Sequence, residues 1–546
     1  MLRADEIDAL RGAAEELTAP IVDYLIQDLA KRVAKAGQLT ATAQYETWKL
    51  QELGLSQREI KKRIKKLLKV SNRELRQMLT QSAEAGYSYD LRSLPQVQAI
   101  PFRQNEAVQQ IVAAAVQLAE NDLSNITQTI GMVDPYGRAL PLRDAYRSCM
   151  DFAFMQVSTG ATDYNTAIRQ ATKNLADRGV RWIDYESGVH TSLEAAVRRN
   201  VMGGLGLMQE QISQRTHDDL SADGWEIDAH NNSAPDHEPI QGKQYPDAEY
   251  QALNNSLVRR IGTLNCGHSA HPIILGVSIP QYSPEELERM RQKNEEGITY
   301  QGKHYTGYEA TQRQRRLEAS IRRQKRRILV DEAAGDAEKL QTDQIKLQIL
   351  RQEYSRFSKA SGLRTQLERA EVAKFGLKQA GDVDATYKQV AKMANAMYDV
   401  GSEEKNVRAW LRDYPIRQKI RSGVIPSNIE NGQQRKHFLG TREYLQYVDK
   451  FRRKNQFGPS RVSLSNEEIK TLVEKFKGTG ILKGKYLKDA WIGTETITTN
   501  EKIVGVVVNN LSGAEADTPV FKIHYGPKGI HVVPDYPSKK GAKARS

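Results

Sequence analysis

Two histidines close to the C-terminal end of the chain have the residue type and spacing for acid–base chemistry. Residues 520–525 alternate as a β-strand does, which places Lys522 and His524 on one face. A four-residue turn, 526–529, follows, and the returning strand then brings His531 opposite His524. Directly opposed side chains have Cβ atoms about 4.5 to 5.5 Å apart. The sequence therefore predicts two histidines and a lysine on one face of a sheet.

The register of this hairpin decides whether the cluster forms. The same turn pairs Tyr525 with Ile530 and Lys522 with Val533. Because the side chains of a strand alternate with a period of two, a one-residue slip would move a histidine to the opposite face. The predicted cluster is thus a prediction of register as much as of residue type.

Such a cluster has the groups that cleave RNA without a metal. A base removes the 2′-hydroxyl proton, an acid protonates the leaving 5′-oxygen, and cations stabilise charge on the phosphate. Histidine, with a pKa near 6.5, can take either proton-transfer role. Arg435, Lys436 and His437 precede a predicted helix and would join the same cleft. Alternatively, His524 and His531 are ordinary exposed strand residues and His437 is a turn residue.

The elements that must position these residues make up a C-terminal α+β domain with an antiparallel sheet. A capping-box pattern, Ser465 followed three residues later by Glu468, marks the start of its second helix. The periodicity predicts helices over 443–454 and 465–476, and strands over 491–493, 503–508, 519–525 and 529–534.

Charge and composition restrict the partners and the compartment. The last 126 residues hold 22 Lys and Arg against 12 Asp and Glu, so they carry +10 of the net charge of +13. This asymmetry fits a polyanion partner such as nucleic acid, or simply a basic, soluble tail domain. Two cysteines form no disulfide framework, the first residues are charged, and no apolar run could span a membrane. We expect a protein made in a reducing cytoplasm.

A second polar cluster lies between residues 226 and 280, where Gly, Pro, Asn and Asp interrupt every apolar run. His237, Cys266 and His268 are candidate zinc ligands, but their spacing matches no standard zinc finger. The prediction is a hydrogen-bonded network of Asp236, His237, Asn265 and His268 that holds loops together, with no metal and no cofactor.

The rest of the chain is predicted to be mainly α-helical and multidomain. Eight of the fifteen residues from Arg313 to Arg327 are basic, a run that could contact DNA phosphates, form a solvated helix face, or meet an acidic protein surface. The predicted regions are helical 1–225, a turn-rich β/loop insert 226–280, basic helical 281–375, a linker 376–425, the α+β domain 426–538 and a basic tail 539–546.

The motifs between residues 236 and 327 carry a family resemblance. They are Pro235-Asp236-His237-Glu238, Asn265-Cys266-Gly267-His268 and the run from Tyr300 to Gln312 before the basic helix. This order resembles the phage minor capsid family, over about residues 1 to 375. The resemblance implies a head-assembly protein of the virion whose partners are the portal and other head proteins. The basic run 313–327 adds packaged DNA as a further candidate partner.

The C-terminal motifs resemble another family. They are Arg435–Thr441, Thr518–Tyr525 and Gly529–Pro534, which are similar to the polymorphic toxin type 50 family over about residues 421 to 538. That family is placed with the barnase, EndoU, colicin and RelE-like ribonucleases. The resemblance implies His437, Thr518 and His531 as active-site residues, with Lys436, His524 and Tyr525 beside them. Gly526 stands where a serine is expected.

Taken together, the two resemblances predict a phage minor capsid protein that carries a C-terminal ribonuclease toxin acting on RNA. Arg435, Lys522, Lys528 and Tyr525 are predicted to bind the nucleic acid, and an immunity protein is a further candidate partner. Two alternatives stay open. The C-terminal domain binds nucleic acid or a head partner without catalysis, or the whole chain is a bacterial toxin with a helical delivery region.

Overall fold

The chain forms two compact units, Met1–Thr386 and Tyr387–Ser546. In the computed structural model the described residues are 4–39, 41–92, 94, 98–134, 137–162, 167–171, 179–184, 189–262, 267–372, 374–398, 401–487, 490–499 and 503–536. The predicted tail 539–546 lies outside them. The predicted regions 1–225, 226–280 and 281–375 all fall within the first unit, so their internal boundaries stay predictions.

The first unit is mainly helical and contains short strands, as predicted. Its helices are Ala4–Glu16, Ala19–Gln38, Thr42–Arg92, Glu106–Gln128, Leu142–Ser158, Leu193–Asp219, Asp247–Ser256, Pro284–Glu296, Gly307–Ala334 and Ala337–Ser361, with 3₁₀ turns Phe102–Gln104 and Leu367–Ala370. Its strands are β1 (Ile130–Val133), β2 (Ala139–Pro141), β3 (Arg181–Ile183), β4 (His190–Ser192), β5 (Gly224–Ile227), β6 (Gln244–Pro246), β7 (Ala270–Ile273), β8 (Ile298–Tyr300) and β9 (Lys303–Tyr305). The strand orders are β2-β1-β3-β4, β6-β5-β7 and β8-β9.

Side-chain caps and apolar stripes explain why these helices begin and pack where they do. Ser283 and Thr306 each form a capping box, in which the hydroxyl accepts from a backbone N–H and a glutamate accepts in return. In Ala19–Gln38 one stripe, including Leu25 and Leu29, is fully buried. Among the described helices, none combines the length and the apolar character that a membrane crossing needs.

The basic run 313–327 lies in a helix, Gly307–Ala334, that packs against Ala19–Gln38 and Ala337–Ser361. Arg326 forms ion pairs with the buried Asp23 at 2.9 Å and with Glu194 at 2.5 Å. Lys325 Nζ donates to a backbone carbonyl at 2.6 Å. Part of this basic run therefore stabilises the interior of the unit, an outcome that none of the three predicted roles included.

The second unit is α+β, as predicted. Its helices are Glu403–Arg421, Asn431–Gln434, Arg442–Arg452 and Asn466–Phe476, with a 3₁₀ turn Arg435–His437, and Leu377–Met397 spans the boundary between the units. Its strands are β10 (Arg461–Val462), β11 (Ile481–Leu487), β12 (Ala490–Thr498), β13 (Gly505–Val508), β14 (Glu515–Thr518), β15 (Val520–Gly526) and β16 (Gly529–Pro534). The stretch 376–425, predicted as a linker, is largely helical because Val383, Tyr387, Val390 and Ala394 form a buried stripe at helical spacing.

Two antiparallel sheets, of order β11-β12-β15-β16 and β10-β13-β14, build this unit. The larger sheet buries one face, with Phe521, Ile523 and Ile530 fully inside a core that the helix Asn466–Phe476 helps to cover. Because successive strand residues point to opposite faces, Lys522, His524 and His531 project from the other face.

Candidate active site

The hairpin of β15 and β16 has the predicted register. Tyr525 pairs with Ile530, His524 with His531, and Lys522 with Val533. Gly526 also pairs with Gly529, so the connecting loop contains only Pro527 and Lys528 and is tighter than the predicted four-residue turn. The imidazole rings of His524 and His531 stack with their centroids 4.7 Å apart.

His437 joins this pair from a different segment of the chain. Its ring stacks on that of His531, with centroids 5.8 Å apart and planes 12° apart. Three imidazoles therefore form one row, His437–His531–His524, which we call the histidine stack. His437 thus lies beside the hairpin face, whereas a role of Arg435 and Lys436 in the same cleft stays a prediction.

Gln434 is the residue that fixes His437 in place. Its buried amide group binds the edge of β16 twice: the Val532 N–H donates to Oε1 at 2.7 Å, and Nε2 donates to the Val532 carbonyl at 3.1 Å. Upstream, the Glu430 N–H donates to the Ile530 carbonyl, and the Ile530 N–H donates to the Asn428 carbonyl, both at 2.8 Å. Residues 428–430 therefore form a short parallel bridge to β16, and Gln434 attaches the helical turn that follows to the same edge.

One hydrogen bond fixes the tautomer of His437. Its Nδ1 lies 2.8 Å from the backbone carbonyl of Ser460. A carbonyl only accepts, so Nδ1 carries the proton and Nε2 of the neutral ring keeps its lone pair. Lys436 is half-buried beside it, with Nζ 5.8 Å from the centre of the Tyr447 ring. His437 is thus arranged as a proton acceptor.

All three rings of the histidine stack are held in the neutral form. Burial, followed by repulsion from His437 and Lys522, lowers the pKa of His524 to about 4. Burial, followed by repulsion from the two other histidines, lowers the pKa of His531 to about 3. Burial also lowers the pKa of His437, against the favourable hydrogen bond to Ser460. A bound anion would reverse these shifts by supplying the missing negative charge.

Comparison with known proteins gives two matches along the chain. A family model described as Phage minor capsid protein 2 matches residues 16–359. The chain belongs to this family. A model described as Bacterial toxin 50 matches residues 429–534, so the predicted fusion of a capsid region to a C-terminal toxin region is confirmed. No curated protein and no solved structure matches the chain.

In the toxin region, Thr518 lies apart from the histidine stack. Its side chain is fully buried and its hydroxyl donates to the Asp535 carbonyl at 2.7 Å. The same oxygen accepts from the Val520 N–H at 3.0 Å. Both hydrogen bonds stay inside the protein, so this geometry suits a residue that positions Asp535, whose carboxylate lies 2.6 Å from Lys522 Nζ.

Tyr525 lies on the opposite face of the sheet from the histidine stack. Only 3% of it is exposed, and its hydroxyl donates to the Glu495 carboxylate at 2.7 Å. Glu495 also accepts from the Gly478 and Gly480 N–H groups at 3.0 and 2.7 Å. The two residues hold a turn against the core, and the structure does not bring Tyr525 to the histidine face.

The other predicted cations differ in how available they are. Arg435 is exposed, and its guanidinium lies 3.5 Å from the Glu443 carboxylate. Lys528 is exposed in the two-residue loop of the hairpin. Lys522 projects from the histidine face and Lys436 adjoins His437, so these two cations lie nearest the histidine stack.

Sequence reasoning missed three functional candidates. Gln434, which positions His437, has no sequence signal because its role depends on a strand nearly a hundred residues away. Lys483 and Lys485 lie on β11, a strand that was not predicted, and they project from the histidine face. The alternation in Ile481-Leu482-Lys483-Gly484-Lys485 is the signal that could have revealed them.

The other predicted cluster is a hydrogen-bonded network in the first unit. The Nδ1 atoms of His237 and His268 lie 3.3 Å apart, and both rings are buried. His268 Nε2 lies 2.9 Å from the side-chain oxygen of Gln241. Cys266 and Asn265 lie outside the described residues. Among those that are described, no three His, Cys, Asp or Glu side chains have an arrangement that could hold a metal ion.

Proposed function

We propose that the toxin region is a metal-independent ribonuclease carried by a minor protein of the phage head. The observation that supports catalysis is the histidine stack. His437 has a fixed tautomer, its ring centroid lies 5.8 Å from that of His531, and the His531 and His524 centroids are 4.7 Å apart. A base and an acid on opposite sides of one phosphate are the requirement for RNA transesterification.

In the proposed reaction His437 Nε2 removes the proton from a 2′-hydroxyl. The 2′-oxygen attacks phosphorus, and the bond from phosphorus to the 5′-oxygen breaks. Protonated His531, with His524 as its neighbour, gives a proton to that leaving oxygen. The products are a 2′,3′-cyclic phosphate and a 5′-hydroxyl, and both histidines exchange their protonation states.

The low pKa values of His524 and His531 set a requirement for the acid step. At neutral pH neither ring is protonated in the free protein. A phosphodiester bound between the rings and the lysines favours the charged imidazolium, because an opposite charge within about 4 to 6 Å raises the pKa of a histidine. Substrate binding and protonation of the acid are therefore linked, and a lower pH favours both.

In this proposal the lysines and the arginine near the histidine stack stabilise the negative charge of the RNA phosphates. Lys436 and Lys522 are the nearest candidates to stabilise the transition state, whereas Arg435 and Lys528 lie at the margin and contact flanking phosphates. Thr518 acts through Asp535 on Lys522 rather than on the substrate. Tyr525 supports the sheet from its core side.

Incubation of the full chain with RNA tests this function. We expect His437→Ala and His531→Ala each to lower the cleavage rate about 100- to 10,000-fold, the usual contribution of a general acid or base. His304→Ala, at an exposed histidine of the first unit, is the matched control and should leave the rate unchanged. Intact RNA with the unmodified chain, or equal rates in all variants, contradicts catalysis and leaves the non-catalytic alternative.

The family of the first unit supports a place in the virion. We propose that the chain is made in the host cytoplasm, assembles with the portal and other head proteins, and enters the particle with the packaged DNA nearby. An immunity protein would protect the host from the toxin region. Purified particles probed for the full-length chain test the location, and absence from particles would favour the alternative of a free bacterial toxin.

A further inference from the structure

The histidine face of the large sheet extends well beyond the histidine stack. Pairing places Lys483 beside Thr494, Thr494 beside His524, and His524 beside His531. Directly paired residues project from the same face of a sheet, so these four side chains form one row across all four strands. With strands about 4.7 to 4.9 Å apart, Lys483 lies about 15 Å from His531.

The neighbouring rows of this face each contain one lysine. Lys485 pairs with Ile492 on one side, and on the other side Ile481, Thr496, Lys522 and Val533 follow one another across the sheet. Among the described residues of the four strands, every carboxylate points away from this face, since Glu495 belongs to the opposite face. Asp535, just past β16, places its carboxylate beside Lys522, so the acid-free part of the face is the part towards β11.

Lys483 and Lys485 are available to a ligand. Both are exposed, and neither side chain forms an ion pair or hydrogen bond with a described residue. Lys522 differs, because its ammonium is already 2.6 Å from Asp535. A cation with no acidic partner in the protein finds its counter-charge in solution or in a bound polyanion.

On the basis of the ribonuclease function above, we propose that β11 holds a distal binding site for the phosphates of single-stranded RNA, formed by Lys483 and Lys485. The strand of RNA runs across the sheet, perpendicular to the β-strands, from the histidine stack over Thr494 to β11. The substrate is then an unpaired segment of several nucleotides. A dinucleotide would occupy the histidine stack alone and would not reach Lys483.

The size of the effect follows from counterion release. For single strands the logarithm of the binding constant falls by about 0.7 per phosphate contact for each tenfold rise in salt. Loss of both lysines should therefore reduce the salt slope by about 1.4. The variant and the unmodified chain should bind equally well at about 1 M salt, where screening is nearly complete. At about 0.1 M salt the binding constant of the variant should be up to about 25-fold smaller than that of the unmodified chain.

Binding of a labelled single-stranded DNA to the full chain tests the site. DNA of a dozen nucleotides lacks the 2′-hydroxyl and so is not cleaved by the proposed route. Lys483→Gln combined with Lys485→Gln should weaken binding and lower the salt slope as calculated. The control, Lys470→Gln with Lys475→Gln, removes the same charge from the helix Asn466–Phe476, which packs on the opposite face of the sheet. An unchanged slope in the first variant, or an equal loss in the control, overturns the site.

Cleavage assays separate this inference from the proposed function. The Lys483/Lys485 variant should cut a dinucleotide at the normal rate and a longer RNA with a raised KM and unchanged kcat, since the distal site contributes binding only. Equal KM values of the two proteins on the longer RNA contradict the site and leave the ribonuclease intact. If the unmodified chain cuts neither substrate, the ribonuclease fails, and the DNA-binding slopes still decide whether the surface exists.

Discussion

Gln434 offers a test of how the candidate active site is held together. Replacement of this residue with leucine keeps the side-chain size but removes both hydrogen bonds to the backbone of Val532 on β16. The Val532 N–H and carbonyl then stay buried without partners unless the segment 428–437 detaches. We expect the segment to detach part of the time, and His437 to leave the histidine stack with it.

The structure sets the size of this effect. An unsatisfied buried polar group costs about 1 to 3 kcal/mol, so two such groups weaken the attachment of the segment by about 2 to 4 kcal/mol after partial relaxation. Each 1.4 kcal/mol corresponds to about a tenfold change in an equilibrium constant. The detached state should therefore be populated about 30 to 1,000 times more often than in the unmodified chain.

Amide hydrogen exchange in the full chain measures this population. The N–H groups of Glu430 and Ile530 report on it, because both cross between the segment and β16. Their exchange should accelerate by the same factor in Gln434→Leu, and RNA cleavage should slow. Gln433→Leu, at the exposed neighbouring position, is the control. If the Glu430 and Ile530 amides exchange at the same rate in both variants, Gln434 does not hold the segment.

The remaining predictions concern pH, charge burial and metals. The folded pKa values of His524 and His531 lie below the unfolded value near 6.5, so the stability they allow is complete above pH 6.5 and is lost as pH falls towards 4 and 3. At pH 5.5 protonation of each ring should cost about 1.4 kcal/mol, seen as a lower opening free energy of residues 520–534 after correction for the intrinsic pH dependence of amide exchange. The double asparagine variant should lose this dependence, and equal opening free energies at pH 7.5 and 5.5 contradict it. Arg326→Ala should destabilise the first unit by about 3 to 5 kcal/mol because the buried Asp23 carboxylate loses its ion pair with Arg326. Arg323→Ala, at an exposed position, should stay within about 0.5 kcal/mol, and equal unfolding midpoints refute this. A metal chelator should leave RNA cleavage unchanged, since the proposed proton transfers use side chains alone, and loss of activity that added metal restores would contradict the mechanism.

The histidine hairpin could be predicted because its information is local. A strand has a period of two, and two glycines enclose a short turn, so the pairing of His524 with His531 follows from counting residues. The prediction of the turn was less accurate because Gly526 and Gly529 themselves pair and shorten the loop. The residue type, histidine, predicts acid–base chemistry, and the short distance along the chain predicts that the two rings lie side by side.

The missed strand β11 shows where local information ends. Gly484 pairs with Gly493 on β12, and glycine lowers the strand signal of both segments. The reason for these glycines is tertiary: a Cβ atom at either position would lie 2.7 Å from the indole of Trp491. The pair makes room for an aromatic side chain of the core, which no property of residues 481–487 alone could indicate.

The two basic stretches of this chain have different roles, and their charge alone could not distinguish them. The run 313–327 has the higher density of cations. However, Arg326 forms ion pairs with acidic side chains and Lys325 donates to a backbone carbonyl inside the first unit. Lys483 and Lys485 are only two residues, but they lie on a sheet face where the described strands present no carboxylate. Availability to a polyanion depends on whether the fold supplies an acidic neighbour, so the sparser stretch is the better candidate for binding nucleic acid.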